Sequence, residues 1–311
     1  MARLPRLKVE NGIGWYHLCA RVAGHLNWFP FEDRLAREKL LETIRKYLAA
    51  YCCDLAAYCL MGNHYHLILR FQPYRLLSQD ELFQRAARLY PNPHRVLRNQ
   101  QHWQRFNTRI FDLSEFMRNV QQSYTRWYNQ HYHRRGSLWS ERFKSVLLGD
   151  QQSILDTLLY VELNPVRARL VERPEDFRWS SAALRIRSQN HFLIPLPELG
   201  FATPAKLSYA DYRTRLYYRG SVSSQPAAGT IPTSILQREE ARGFAQPGAY
   251  LQRLPFFSDG LSLGPCTQIQ AWISKLRRRG YYLRRKQAIR HRVDQATFYT
   301  VREQRSLPRH P

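Results

Sequence analysis

Between Tyr58 and Phe71 the chain reads Tyr-Cys-Leu-Met-Gly-Asn-His-Tyr-His-Leu-Ile-Leu-Arg-Phe, which sets two imidazoles one residue apart inside a β-type run. Successive strand side chains alternate between faces, so His64 and His66 share one face and Tyr65 takes the other. Met61-Gly62-Asn63 supplies turn chemistry between this run and the apolar stretch from Leu55 to Leu60, which predicts a hairpin opening onto the histidine pair. Two neutral imidazoles in that relation can hold one divalent ion. The bland alternative is a pair of partly buried histidines bonded to backbone.

The charge narrows the partner. Among 311 residues, 48 Lys and Arg against 24 Asp and Glu leave a net +24. Arginine greatly outnumbers lysine, which favours forked contacts to phosphate, so a nucleic acid is expected rather than a membrane. Cysteines 19, 52, 53, 59 and 266 are odd in number, form no C-x-x-C pair and read as reduced core thiols. With no secretory h-region and no apolar run of membrane-spanning length, the expected location is cytoplasmic and nucleoid-associated.

In order, Trp15 to Val22 reads as a strand, and Asp33 caps a helix from Arg34 to about Ala50. After the histidine hairpin, residues 72–104 read as a polar insertion with a short helix near Gln79 to Tyr90. Ser114 is expected to cap a helix through Phe116, Met117, Val120, Tyr124 and Trp127. A strand region at Leu138-Trp139 and Phe143 to Leu148 precedes a helix starting at Asp150 and interrupted by Pro165. The order β, α, β, β, α, β plus a final helix predicts an α+β, ferredoxin-like split βαβ palm, an antiparallel sheet backed by helices. A first domain over 1–182 is thus expected, then a connecting region and linker over 183–232. A basic, mostly helical appendage would occupy 233–311, with Arg277, Arg278, Arg279, Arg284 and Arg285 interleaved with Tyr281 and Tyr282 for phosphate contact and base stacking. A solvated helix face is the alternative for that cluster.

An ion beside a polyanion suggests phosphoryl transfer, which needs an aligned nucleophile. Of 19 tyrosines, Tyr160 alone has an Asn or Gln four residues on, Asn164, a spacing that puts both on one helix face. An amide oxygen suits a hard ion already held by imidazoles. By periodicity alone Tyr160 is more often an ordinary packed tyrosine. Arg135, Arg142 and Lys144 are candidate backbone clamps, with a plain surface role as the alternative.

Met61-Gly-Asn-His-Tyr-His66, Arg135-Gly-Ser-Leu-Trp139 with Arg142-Phe143, Tyr160-Val-Glu-Leu-Asn-Pro-Val-Arg-Ala168 and Trp179-Ser-Ser181 together resemble the single-strand tyrosine transposases of insertion sequences. Within them the pattern is similar to the REP-associated tyrosine transposases of the HUH endonuclease superfamily, over about Tyr16 to Ser181. The resemblance implies that His64 and His66 bind Mg²⁺ or Mn²⁺, that Tyr160 is the nucleophile, and that Asn164 stands where the family helix supplies a further polar ligand. It also implies a single-stranded, hairpin-containing DNA substrate and allows a homodimer. Two rival readings remain: a non-cutting nucleic-acid binder derived from a transposase, and a zinc hydrolase, for which no third zinc ligand is evident at a set spacing.

Overall fold

The computed structural model describes residues 6–24, 28–186, 192–199, 207–223, 227–244, 260–281, 287–293 and 296–302. The elements are β1 (Gly14–Arg21), α1 (Arg34–Leu48), β2 (Cys53–Leu60), β3 (His64–Phe71), α2 (Gln79–Leu89), α3 (Pro93–Val96), α4 (Gln100–Ile110), α5 (Leu113–His131), β4 (Lys144–Leu148) and α6 (Gln151–Arg167). They continue with α7 (Ser181–Ile186), α8 (Tyr209–Ser221), α9 (Thr233–Glu240), β5 (Gly260–Gly264), α10 (Cys266–Arg278), β6 (Ile289–Val293) and β7 (Ala296–Arg302). Among the described residues no helix is long and apolar enough to cross a membrane.

The fold is α+β: one seven-stranded sheet in the order β2-β3-β1-β4-β5-β7-β6, with helices on both faces. Its first four strands pair antiparallel in the order expected of a split βαβ palm, and β3 lies between β2 and β1. Alternation divides the side chains. Tyr16, Leu18, Tyr65, Leu67 and Leu69 join the core made with α1 and α5, whereas Ile68, Val146 and Leu148 pack against Leu158, Leu159 and Val161 of α6. Short polar side chains start the helices. Asp33 accepts from Leu35 N–H at 2.7 Å, and Asp150 accepts from Ser153 N–H at 2.7 Å. Asp112, not Ser114, caps α5, because its carboxylate reaches both the Ser114 and Glu115 N–H groups at 2.7 and 3.0 Å.

Three sequence expectations are corrected. The sheet is mixed rather than wholly antiparallel, since β5 runs parallel to β4. The described C-terminal region is not a mostly helical appendage: β5, β7 and β6 extend the same sheet, and Ser262 Oγ donates to Leu147 O at 3.0 Å. A helix, α8, occupies part of the connecting region, and the described residues Val222 and Gly229 after it are tied to α6. Arg167 donates to the carbonyls of Arg219 (2.6 Å), Val222 (2.7 Å), Gly229 (2.9 Å) and Gly220 (3.1 Å). A Cβ on Gly229 would fall 2.2 Å from Val166 O, so this glycine serves close backbone approach.

Candidate active site

The turn before β3 is tied down by backbone. Met61 N–H donates to His64 O, Val22 N–H to Asn63 O and Phe31 N–H to Gly62 O, each at 2.9 Å. Asn63 Oδ1 lies 2.8 Å from Nδ1 of His64, so a proton on that nitrogen leaves Nε2 as the atom of ligand character. His66 is buried, and its ring meets that of His64 nearly at right angles, with centroids 5.1 Å apart. Burial pushes the His64 imidazole down to about 4, and Arg21, directly across on β1, adds to the effect. His64 is therefore neutral at pH 7 and keeps a lone pair.

Tyr160, half-buried on α6, stands edge-on to two imidazoles: His66 at 5.7 Å between centroids and 86°, and His17 at 5.8 Å and 76°. The structure thus brings Tyr160 to His66, and it adds His17, a β1 residue that the sequence reading did not single out. Tyr124, a tyrosine on the amphipathic α5, sits on the opposite side of the sheet. It is fully buried, and its hydroxyl donates to Ala36 O at 3.1 Å.

Asn164 follows one turn after Tyr160, but its side-chain amide serves its own helix. Nδ2 donates to Tyr160 O at 2.9 Å and to Val161 O at 3.3 Å. Pro165 cannot supply the N–H that Val161 O would otherwise accept, and the Asn164 side chain substitutes for it. The amide oxygen is the atom that retains ligand character.

Neighbouring residues on α6, α7 and the loop before β4 build the frame. Glu162, fully buried on α6, accepts from Ser181 Oγ (2.6 Å), Tyr212 OH (2.7 Å) and Arg185 Nε (3.0 Å). Ser181 Oγ in turn accepts from the Tyr58 N–H at 3.1 Å, so α6 is locked to β2. Trp139 packs against Tyr65 and Phe31 and donates to Thr125 Oγ1 at 2.9 Å, which fixes the loop leading to β4.

One buried carboxyl on α6 yields a pH prediction. Burial pushes Asp156 up to about 6, against the opposing pull of Arg219 and a hydrogen bond from Gln152. A raised folded value means that the folded state binds this proton more tightly than the unfolded state. The stability it contributes is complete below about pH 4 and lost as pH rises through about 6. Asp156→Asn is expected to gain on the wild type by up to about 3 kcal/mol between pH 4 and 7, measured by urea unfolding at each pH. Parallel pH profiles would refute this.

The rim is cationic. Exposed Arg21 faces His64 across β1 and β3, and half-buried Lys144 lies beside Cys19, which pairs with His66 on its other side. Arg135 and Arg142 are exposed in the segment entering β4, whose Ser140 N–H donates to Arg21 O at 3.0 Å. Arg277, Arg278 and Arg279 are exposed at the end of α10, and part of that cluster is engaged within the fold. Lys275 and Arg279 pair with Glu10 at 2.9 and 2.7 Å and lower its carboxyl, with Lys275 the larger cause. Arg284 and Arg285 lie outside the described residues.

Among the described residues no three His, Cys, Asp or Glu side chains converge as a metal cage would. The donors expected from the sequence are two imidazoles on β3 and an amide oxygen on α6. That chemistry fits an ion that keeps open positions for phosphate oxygens better than it fits a closed zinc site.

No family model matches the chain, and no curated protein matches it. Among solved structures, one described as a REP-associated tyrosine transposase bound to a REP hairpin is similar at 13% identity and a TM-score of 0.40, covering 67% of this chain and 95% of that chain.

Proposed function

We propose that the protein is a metal-dependent single-stranded DNA endonuclease and strand transferase, a transposase-type enzyme that cuts beside DNA hairpins through a 5′-phosphotyrosine intermediate. The observation that carries this reading is the Tyr160 ring edge-on to His66 and His17 on a sheet face rimmed by Arg21 and Lys144.

The Tyr160 phenol oxygen attacks phosphorus, forming the Oη–P bond while the bond to the 3′-oxygen breaks. The phenolic proton is balanced by the one the departing 3′-oxygen takes up. Bond energy is kept in the phosphotyrosine, so another strand's 3′-hydroxyl can reverse the step and join. His64, His66 and Asn164 would hold Mg²⁺ or Mn²⁺, which when bound supplies charge stabilisation at the phosphate. Arg21, Arg142 and Lys144 hold the backbone. A splayed single strand is the substrate, because its flexible backbone can bend into the site while its unstacked bases rest on the protein surface.

The test is incubation with end-labelled single-stranded hairpins and Mn²⁺, followed by denaturing gels. Protein joined to the 5′ end of the downstream fragment supports the reading; strands that are bound but never cut would favour the non-cutting binder. His64→Ala and His66→Ala are expected to abolish cleavage while binding persists, because affinity comes from charge spread over the surface and falls steeply with salt. Cleavage that survives chelator would remove the metal from the mechanism.

A further inference from the structure

β1 lies between β3 and β4, so a side chain on it is held from both sides. His17 pairs across to Ile68 and Val146, while its neighbour two residues on, Cys19, pairs with His66. His17 and His66 are therefore diagonal neighbours on the face that α6 covers. Their rings stack with centroids 5.1 Å apart and planes 19° apart, and His17 Nε2 lies 3.0 Å from His66 Nδ1. Both are buried, at 1% and 2% exposure. The same His17 ring also meets the Tyr160 ring at 5.8 Å.

A nitrogen-to-nitrogen hydrogen bond needs one N–H and one lone pair, so only two arrangements of neutral rings satisfy it. If His17 Nε2 carries the proton, His66 accepts on Nδ1 and is protonated on Nε2, which then has no lone pair to give. If His66 Nδ1 carries it, His17 Nε2 accepts and His66 Nε2 keeps its lone pair. Ligand histidines are commonly oriented by a partner on the other ring nitrogen, and here that partner is a third imidazole.

We infer that His17 is a positioning residue which holds His66 in the Nδ1–H tautomer and seats the Tyr160 ring against the pair. This rests on the metal-dependent reading of the site, but its first readout needs no metal. In the full-length chain without added metal, long-range ¹H–¹⁵N correlation, with His66 assigned by the resonances lost in His66→Ala, should place the His66 proton on Nδ1. His17→Leu fills similar volume without an acceptor and should shift His66 away from that tautomer. His17→Gln puts an amide oxygen where Nε2 was and should restore it. In a calorimetric titration with Mn²⁺, His17→Leu should weaken affinity by roughly 10–100-fold, and His17→Gln should recover most of it. A His66 proton on Nε2 in the wild type overturns the inference, as does a His17→Leu variant with unaltered tautomer and Mn²⁺ affinity. A wild type that binds no Mn²⁺ would instead sink the ion assignment, and the tautomer measurement would still decide the role of His17.

Discussion

Tyr160→Phe is expected to eliminate covalent protein–DNA product while leaving fold and DNA affinity intact. The substitution removes one hydroxyl and keeps the ring that packs edge-on to His66 and His17, so the imidazole face stays covered. Without the phenol oxygen there is nothing to form the ester, and the expected loss is the whole of the covalent step, several powers of ten in rate. Peptide mapping of the wild-type adduct should identify Tyr160. An adduct on another residue would refute the assignment while leaving the enzyme class standing. Tyr124 cannot take the role in this fold, because its hydroxyl is buried against Ala36 O and burial pushes the phenol far above its ordinary range. A hydrolase that activates water would release free ends and tolerate Tyr160→Phe.

The second large effect concerns the lock beneath the nucleophile. Glu162 and Arg185 form an ion pair at 3.0 Å with side chains 0% and 2% exposed, and Ser181 and Tyr212 complete the bonding of the carboxylate. Removing the carboxylate leaves a buried guanidinium without its counter-charge. Glu162→Leu should therefore cost about 3–5 kcal/mol of folding stability, read from urea unfolding. The double variant Glu162→Leu with Arg185→Met should recover much of that loss, because the stranded charge goes too. A single variant within about 1 kcal/mol of the wild type would show that the pair does not lock α6 to β2. Cleavage should fall with Glu162→Leu beyond the folded fraction lost, since α6 carries Tyr160.

The placement of several candidate side chains on their elements was legible in the chain. Strand alternation put His64 and His66 on one face of β3, and the four-residue helical spacing put Tyr160 and Asn164 on one face of α6, because both follow from backbone geometry within a single element. Asp33 and Asp150 announced their helices for the same local reason. Asn164 shows where local spacing stops being sufficient: the pattern offered an amide as a ligand, and the structure shows its N–H groups covering carbonyls that include the one Pro165 leaves without a donor.

What no local pattern carried is every relation between distant segments. His17 lies 49 residues from His66, and its meaning depends on β1 entering the sheet beside β3 with Cys19 opposite His66. Glu162, Ser181 and Arg185 become one cluster only when α7 folds back against α6 and β2. β5 is a five-residue Gly-Leu-Ser-Leu-Gly strand whose short alternation carries little strand signal, and it is a strand because β4 offers it an open edge across 115 residues. The sequence by itself determined the period of each element and hence which of its side chains share a face. Tertiary structure alone decided which faces meet, because strand order and helix docking are set by burial summed over the whole chain.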